Sequence, residues 1–434
     1  MTADLSTAWW NHLQGVRWFG GKGSPGRITE LAPLPFSTAP GVWPAVRSEI
    51  ATLSYDDGRT EHYHLLAAYR PAADVAKPLA TVEVPGLGQV AATDATEDPQ
   101  AVLAFVTAVA ENPGGHMTWN RALTADDLAA ARVWRGEQSN TTIVLGGSAL
   151  FKLFRKVEPG PNLDAEVLTA LDGTPAATPA LFGRLTGAWP VGQVTDLGMV
   201  IEKVADVTDG WELATAACAA GEDFADRAAE LGRSLRRVHD ELRTRFPTAT
   251  VPGSDVAATM TRRLDEAIRA ADVLAPHRDA LAAGFAGLAG TDVAVQRVHG
   301  DFHLGQTLAG ADGRWTIIDF EGEPAKSAAE RREPDSPWRD VAGMLRSFDY
   351  VRSAHPRPES EAATSWSRTS REAFLTGYCG GLNRPAALLD AYEIDKAIYE
   401  VVYETRNRPD WVSIPMRAVM EQARRASIQS EDKE

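Results

Sequence analysis

The segment Gln296-Arg297-Val298-His299-Gly300-Asp301-Phe302-His303-Leu304-Gly305-Gln306, followed by Ile317-Ile318-Asp319-Phe320-Glu321, holds the residues in this chain best suited to chemistry. Two carboxylates and a carboxamide, the second carboxylate closing an apolar β-run, supply a base for a hydroxyl and two oxygen ligands for a hard divalent cation. Phosphoryl transfer to an alcohol needs those parts, because the hydroxyl proton has to be accepted, the triphosphate held and its charge neutralised. Asp301 is the candidate base. His303 stands two residues on, where it can orient the acceptor hydroxyl or Asp301 itself, and both residues are assigned to the acceptor. Gln306 and Asp319 are the candidate Mg²⁺ ligands. A lone aspartate in a polar turn would more simply cap a helix, and it is the ordered set that argues for chemistry.

Other residues answer to the triphosphate. Lys152 lies in the alternating strand Ala149-Leu150-Phe151-Lys152-Leu153-Phe154, in the position of the strand lysine that grips the α- and β-phosphates of ATP in protein kinases, with Glu166 on the following helix as its expected partner. The stretch Gly136-Glu137-Gln138-Ser139-Asn140-Thr141-Thr142 lacks the G-x-G-x-x-G pattern of a kinase phosphate loop. Either the amides and hydroxyls of Ser139, Asn140 and Thr141 touch phosphates, or the stretch is a plain polar hairpin turn. Glu202-Lys203-Val204 follows an apolar strand where a hinge would meet adenine, and position alone nominates Glu202 and Val204. If residues 397–411 are helical, Ile398, Val401, Val402 and Thr405 fall on one face and Glu400, Tyr403, Glu404, Asn407 and Trp411 on another. Carboxylates and amides beside aromatic rings suit a sugar or an ammonium group, and a solvated helix face is the simpler alternative. Asp340, opening a helix, either caps it or holds the catalytic loop by hydrogen bonds.

The elements that must carry these residues are legible in outline. Residues 1–95 are β-rich, with a hairpin turn at Asp56-Asp57-Gly58. Val102, Phe105, Val106 and Val109 repeat at helical spacing until Asn112-Pro113-Gly114-Gly115. Three strands are expected between Arg132 and Arg155, then a helix capped by Asn162 or Asp164. Leu231, Leu235, Val238, Leu242 and Phe246 mark a helix, and most of the chain beyond it is helical. The expected organisation is a cap domain over 1–95, an ATP-binding lobe over 96–204 and a mostly helical catalytic lobe over 205–434, with a frayed tail at Gln429–Glu434.

With 44 basic and 59 acidic residues among 434, the net charge of −15 opposes binding to nucleic acid or an anionic membrane surface. Cys218 and Cys379 lack metal-ligand spacing and form no disulfide framework. Met1–Trp18 has neither a basic start nor an apolar core, and no run of about twenty apolar residues occurs, so a cytoplasmic location is expected. The oligomeric state is not set by these features.

The chain resembles the maltokinase and glucosamine kinase group of actinobacteria, within the aminoglycoside-phosphotransferase-like kinases. The resemblance spans nearly the whole chain and rests on Val16-Arg17-Trp18-Phe19-Gly20-Gly21-Lys22-Gly23, the 296–306 motif, Asp319-Phe320-Glu321-Gly322-Glu323-Pro324, the Asp335–Asp349 stretch and Tyr403-Glu404 through Trp411. It implies an α+β, bilobal protein-kinase-like fold with an N-terminal β-rich cap, ATP as donor and Mg²⁺ as cofactor. It also implies Asp301 as base, Gln306 and Asp319 as metal ligands, and a sugar held near His303 and residues 400–411. Arg17-Trp18-Phe19-Gly20-Gly21-Lys22-Gly23 looks more like the glucosamine-specific branch. The expected activity is therefore glucosamine 6-phosphorylation, with formation of maltose 1-phosphate as the alternative, a resistance-type antibiotic kinase as a third possibility and a catalytically silent kinase-fold binding protein as the reading from another class.

Overall fold

The computed structural model describes residues 4–39, 41–111, 116–136, 139–324 and 326–431, with side chains as far as residue 424. The expected helix stop at 112–115, Glu137 and Gln138 of the candidate phosphate loop, and the last residues of the tail lie outside them. The chain divides into two compact units.

The first unit comprises Met1–Asp172 and Pro179–Ala205. It opens with a helix where only strands are expected, α1 (Leu5–Leu13), whose N-cap Asp4 accepts from Ser6 N. Strands β1 (Gly26–Phe36), β2 (Ala45–Tyr55), β3 (Thr60–Pro71), β4 (Ala80–Val84) and β5 (Gly88–Asp94) then form an antiparallel sheet in the order β1-β2-β3-β5-β4. The β2–β3 hairpin turns at Asp56-Asp57-Gly58 as the sequence predicts, Gly58 taking φ +88° that a side chain would strain. Trp9 and Leu13 join Phe19, Tyr55 and Tyr63 in one apolar cluster.

The expected apolar stripe is buried on α2 (Pro99–Glu111). After β6 (Met117–Trp119) and α3 (Ala125–Ala129) come β7 (Arg132–Val133), β8 (Thr141–Leu145) and β9 (Ala149–Leu153), the three strands read from the sequence. Then α4 (Leu163–Leu171) precedes β10 (Leu181–Ala188) and β11 (Val194–Glu202), completing a six-stranded antiparallel sheet in the order β6-β10-β11-β9-β8-β7. Arg155, only 1% exposed, ties the two sheets: Nη1 donates to His64 O on β3 at 3.1 Å, and Nε donates to Thr141 Oγ1 on β8 at 2.7 Å. Its guanidinium lies 4.3 Å from the centre of the Trp18 ring, and Phe19 meets Tyr63 edge-on at 5.1 Å. Trp18 and Phe19 of the Arg17-Trp18-Phe19 signature are thus packing residues, while Arg17 is exposed and donates from Nη1 to Arg135 O at 2.7 Å.

The second unit comprises Gly173–Thr178 and Asp206–Glu434. Its helices are α5 (Gly210–Ala220), α6 (Ala225–Arg245), α7 (Gly253–Ala270), α8 (Arg278–Ala286), α9 (Ala328–Arg332), α10 (Trp338–Ala354), α11 (Glu361–Cys379), α12 (Ala386–Asn407) and α13 (Ser413–Glu431). A short sheet of β12 (Val207–Asp209), β15 (Thr307–Gly310) and β16 (Trp315–Ile317) accompanies the pair β13 (Ala249–Pro252) and β14 (Asp292–Val295). Leu231, Leu235, Val238 and Leu242 are buried along α6, as their spacing predicts. Helices α6 and α11 approach so closely that a Cβ on Gly232 would lie 2.1 Å from Phe374 O, and one on Gly377 2.0 Å from Ala229 O. Among the described residues no helix is long and apolar enough to cross a membrane.

Candidate active site

The loop from Val298 to Gln306 leaves β14 and turns at Gly300, where φ is +86° and glycine is required. It is held from behind by Asp340 in the first turn of α10. One carboxylate oxygen of Asp340 accepts from His299 N at 2.8 Å and the other from Gly300 N at 2.9 Å. His239 Nε2 of α6 lies 2.9 Å from the first of these oxygens, and Asp340 is 1% exposed. Burial pushes this carboxyl up, but the His239 hydrogen bond, neighbouring imidazoles and the Gly300 N–H outweigh it and hold it below the ordinary carboxylate range. Of the two roles open to Asp340 in the sequence, support of the loop is the one the structure shows. His299 donates from Nε2 to Ile318 O at 2.9 Å, which leaves Nδ1 to accept from Asp301 N at 3.4 Å.

Beyond Asp301 the chain makes a single helical turn, Leu304–Gln306, capped by His303, whose Nδ1 accepts from Gly305 N at 3.1 Å. Burial is the main cause that lowers the His303 pKa, with Lys396 and His299 adding to it against Asp301 and Asp319. A lowered pKa favours the neutral ring, and with Nδ1 accepting from Gly305 N its proton sits on Nε2; His303 is among the residues that line the cavity of the second unit. Gln306 Nε2 lies 3.4 Å from Asp319 Oδ2, and Ile318 N donates to Gln306 O at 3.0 Å. Asp319 itself takes φ +66°, a left-handed conformation that costs on the order of 1 kcal/mol outside glycine. The two proposed metal ligands are thus adjacent, and a carboxylate beside a carboxamide is an oxygen donor set that fits Mg²⁺.

Asp301 and His303 open into a cavity of about 970 Å³ within the second unit, the upper end of the range for small-molecule sites. All of Glu400, Tyr403, Glu404, Asn407 and Trp411 line it. They do so differently from a simple polar helix face. Glu400 is 8% exposed and its Oε2 accepts from Arg346 Nε at 3.0 Å and Nη2 at 2.8 Å. Glu404 is 1% exposed, accepting from Tyr350 OH at 3.1 Å and from Arg408 Nη2 at 2.7 Å and Nε at 2.9 Å. Trp411 lies under the Arg408 guanidinium at 4.6 Å, whereas Tyr403 and Asn407 are exposed at the rim. Both glutamates are paired with arginines, so neither brings an uncompensated charge to the cavity. What remains open is Glu400 Oε1, which has no hydrogen-bond partner among the described residues.

Three functional groups here carry no role in the sequence reading. Lys396 Nζ lies 3.1 Å from Asp301 Oδ1 and 2.9 Å from Glu323 Oε1. Glu323 in turn accepts from Arg339 Nη2 at 2.6 Å. Burial raises the Glu323 carboxyl, but Lys396 and Arg339 outweigh this and bring it down to about 2. Arg346, the third, binds Glu400 from α10. One sequence signal points to Lys396: it stands four residues before Glu400, one turn back on the same helix face.

In the first unit, Lys152 Nζ donates to Asp164 Oδ2 at 2.9 Å, and Glu166, the partner expected from the sequence, lies on the same helix α4. Asn162 is the N-cap, accepting from Asp164 N and Ala165 N. Asn140 Oδ1 accepts from Arg155 N at 3.1 Å, and Thr141 Oγ1 from Arg155 Nε, so these two side chains serve the inter-sheet arginine; Ser139 is exposed. Glu202 N donates to Ala180 O at 2.8 Å and its carboxylate accepts from Ala180 N at 3.1 Å, fixing the strand end that precedes Val204.

No family model matches the chain. Among curated proteins it is 30% identical over 315 residues to a glucosamine kinase of Streptacidiphilus jiangxiensis, spanning 64% of this chain and 70% of that one. It is also 27% identical over 351 residues to a glucosamine kinase of Mycolicibacterium smegmatis, spanning 73% and 86%. Among solved structures, a glucosamine kinase in complex with glucosamine, ADP and inorganic phosphate superposes with a TM-score of 0.62 at 22% identity, covering 97% of this chain and 99% of that one. That likeness establishes the shared fold.

Proposed function

The chain belongs to the glucosamine kinases, and from that premise we propose that it transfers the γ-phosphoryl group of ATP to the 6-hydroxyl of glucosamine, with Asp301 as base and Mg²⁺ as cofactor. The observation that carries the catalytic assignment is the state of the Asp301 carboxylate. Oδ1 is held by Lys396, Oδ2 has no partner among the described residues, and the group faces a cavity lined with sugar-binding chemistry.

In the reaction the acceptor O6–H donates to Asp301 and yields its proton there. O6 forms the new bond to phosphorus as the bond to the β,γ-bridging oxygen of ATP breaks, releasing ADP. His303 Nε2–H orients the acceptor, and Glu400 Oε1 accepts from the 2-ammonium or a neighbouring hydroxyl while Trp411 covers the C–H face of the ring. Gln306 and Asp319 would hold Mg²⁺, which when bound neutralises phosphate charge. In the first unit, Lys152, set by Asp164, is assigned to the phosphates, and the main chain at Glu202 and Val204 to adenine. A cytoplasmic location, where ATP is available, follows from this reading.

Steady-state kinetics with a sugar panel tests the acceptor. Glucosamine is expected to exceed maltose and glucose in kcat/KM by on the order of 100-fold, since a buried acceptor left without its donor discriminates strongly. A preference for maltose overturns the assignment.

A further inference from the structure

We propose that Lys396 is a positioning residue for Asp301, its ammonium fixing the plane of the carboxylate and reserving Oδ2 for the acceptor hydroxyl. The inference deepens the reading of Asp301 as base and rests on it.

The geometry is that of a clamp with one fixed jaw. Glu323, 3% exposed, is held by Arg339 Nη2 at 2.6 Å, and Arg339 is held again by Asp335 at 3.1 Å, whose other oxygen accepts from Tyr392 OH at 2.6 Å. From that anchored carboxylate Lys396 reaches Asp301, and its Nζ also lies 4.7 Å from the centre of the Tyr399 ring. Nothing else described holds the Asp301 side chain: the Asp301 amide goes to His299, and His303 spends Nδ1 on Gly305. Without the ammonium, rotation about two side-chain bonds would swing the basic oxygen off the line of attack. Basicity is secondary in a loose phosphoryl transition state, where positioning and charge placement dominate, so a cation beside the base is compatible with its role.

The competing explanation is that Lys396 only neutralises buried Glu323. Four proteins separate the two: wild type, Lys396→Met, Lys396→Arg and the double variant Lys396→Met/Glu323→Gln, each assayed for kcat, KM and thermal midpoint with the sugar that wild type uses best. Lys396→Met is expected to lose on the order of 100-fold in kcat, with KM for sugar and MgATP within about threefold, as misplacement of a reacting group by about 1 Å costs. The double variant, in which Glu323 no longer carries a buried charge whose Oε1 has lost its ammonium, regains the thermal midpoint while kcat stays low. Lys396→Arg, which keeps the charge, returns to within about tenfold of wild-type kcat. The inference is overturned if the double variant regains wild-type kcat, or if Lys396→Met never loses it. A wild-type protein that phosphorylates no sugar removes the base and this role together, a failure distinct from an active wild type with an equally active Lys396→Met.

Discussion

Replacing Asp340 probes whether Asp301 is held from behind by a residue that never meets substrate. The carboxylate takes hydrogen bonds from His299 N, Gly300 N and His239 Nε2 at 2.8 to 2.9 Å, in a site 1% exposed. In Asp340→Ala those donors lose their acceptor where water has no access. Each such donor costs about 1–3 kcal/mol, so after relaxation the loss is about 3–5 kcal/mol, against a total of about 5–15 for a domain of ordinary stability. Asp340→Asn keeps one acceptor oxygen but turns an NH₂ toward the second amide, for a loss of about 2 kcal/mol. In either variant the Gly300 turn relaxes and Asp301 moves, and a displacement of about 1 Å reduces kcat on the order of 100-fold while KM for ATP holds. The Asp340 carboxyl sits lower in the folded chain than its ordinary 3.8. Its contribution is therefore present above that unfolded value and lost as pH falls through the folded one. The stability gap between wild type and Asp340→Asn should thus be level from pH 7 to 5 and narrow only below about pH 4. Urea unfolding followed by tryptophan fluorescence, beside a coupled ADP-release assay, gives both readouts. Asp340→Ala with less than about 1 kcal/mol lost and kcat within twofold of wild type would refute the reasoning.

Three further experiments follow. Asp301→Ala should lower kcat at least about 1000-fold while calorimetry still detects ATP, and Asp319→Asn, which tolerates positive φ, should abolish Mg²⁺-dependent turnover; an active Asp301→Ala contradicts the base and an unchanged Mg²⁺ titration the ligand. In the first unit His64 donates to Phe154 O at 3.2 Å and pairs with Ser48 Oγ at 2.8 Å, and burial, helped by Arg155, lowers its pKa from 6.5 to about 3. The unfolded chain then takes up this proton first, so the neutral ring's contribution is full above pH 6.5 and lost as pH falls. Between pH 7 and 5 the stability gap to His64→Asn should shrink by about 2 kcal/mol, and a constant gap in urea titrations rejects the idea.

The parts of this enzyme that the sequence displays are those whose partners lie close in sequence. The proposed base, the imidazole and the carboxamide fall within 301–306, and Asp319, the second proposed ligand, follows the next β-run, so one loop and one strand bring them together. The helix bearing Glu400 and Glu404 was legible for the same reason, since a face repeats every few residues. What decides how those residues act lies far along the chain. Arg346 is 54 residues from Glu400 and Lys396 is 95 from Asp301. A carboxylate read in isolation is a negative charge; once its arginine is present it is an oriented acceptor, as Arg346 makes of Glu400. Asn140 and Thr141 show the same dependence on a residue further along: their side-chain oxygens accept from Arg155, fifteen and fourteen residues on. At Asp301 and Glu400 the paired charges thus act chiefly through geometry: Lys396 holds one oxygen of Asp301 and Arg346 one oxygen of Glu400, and the other oxygen of each has no partner among the described residues.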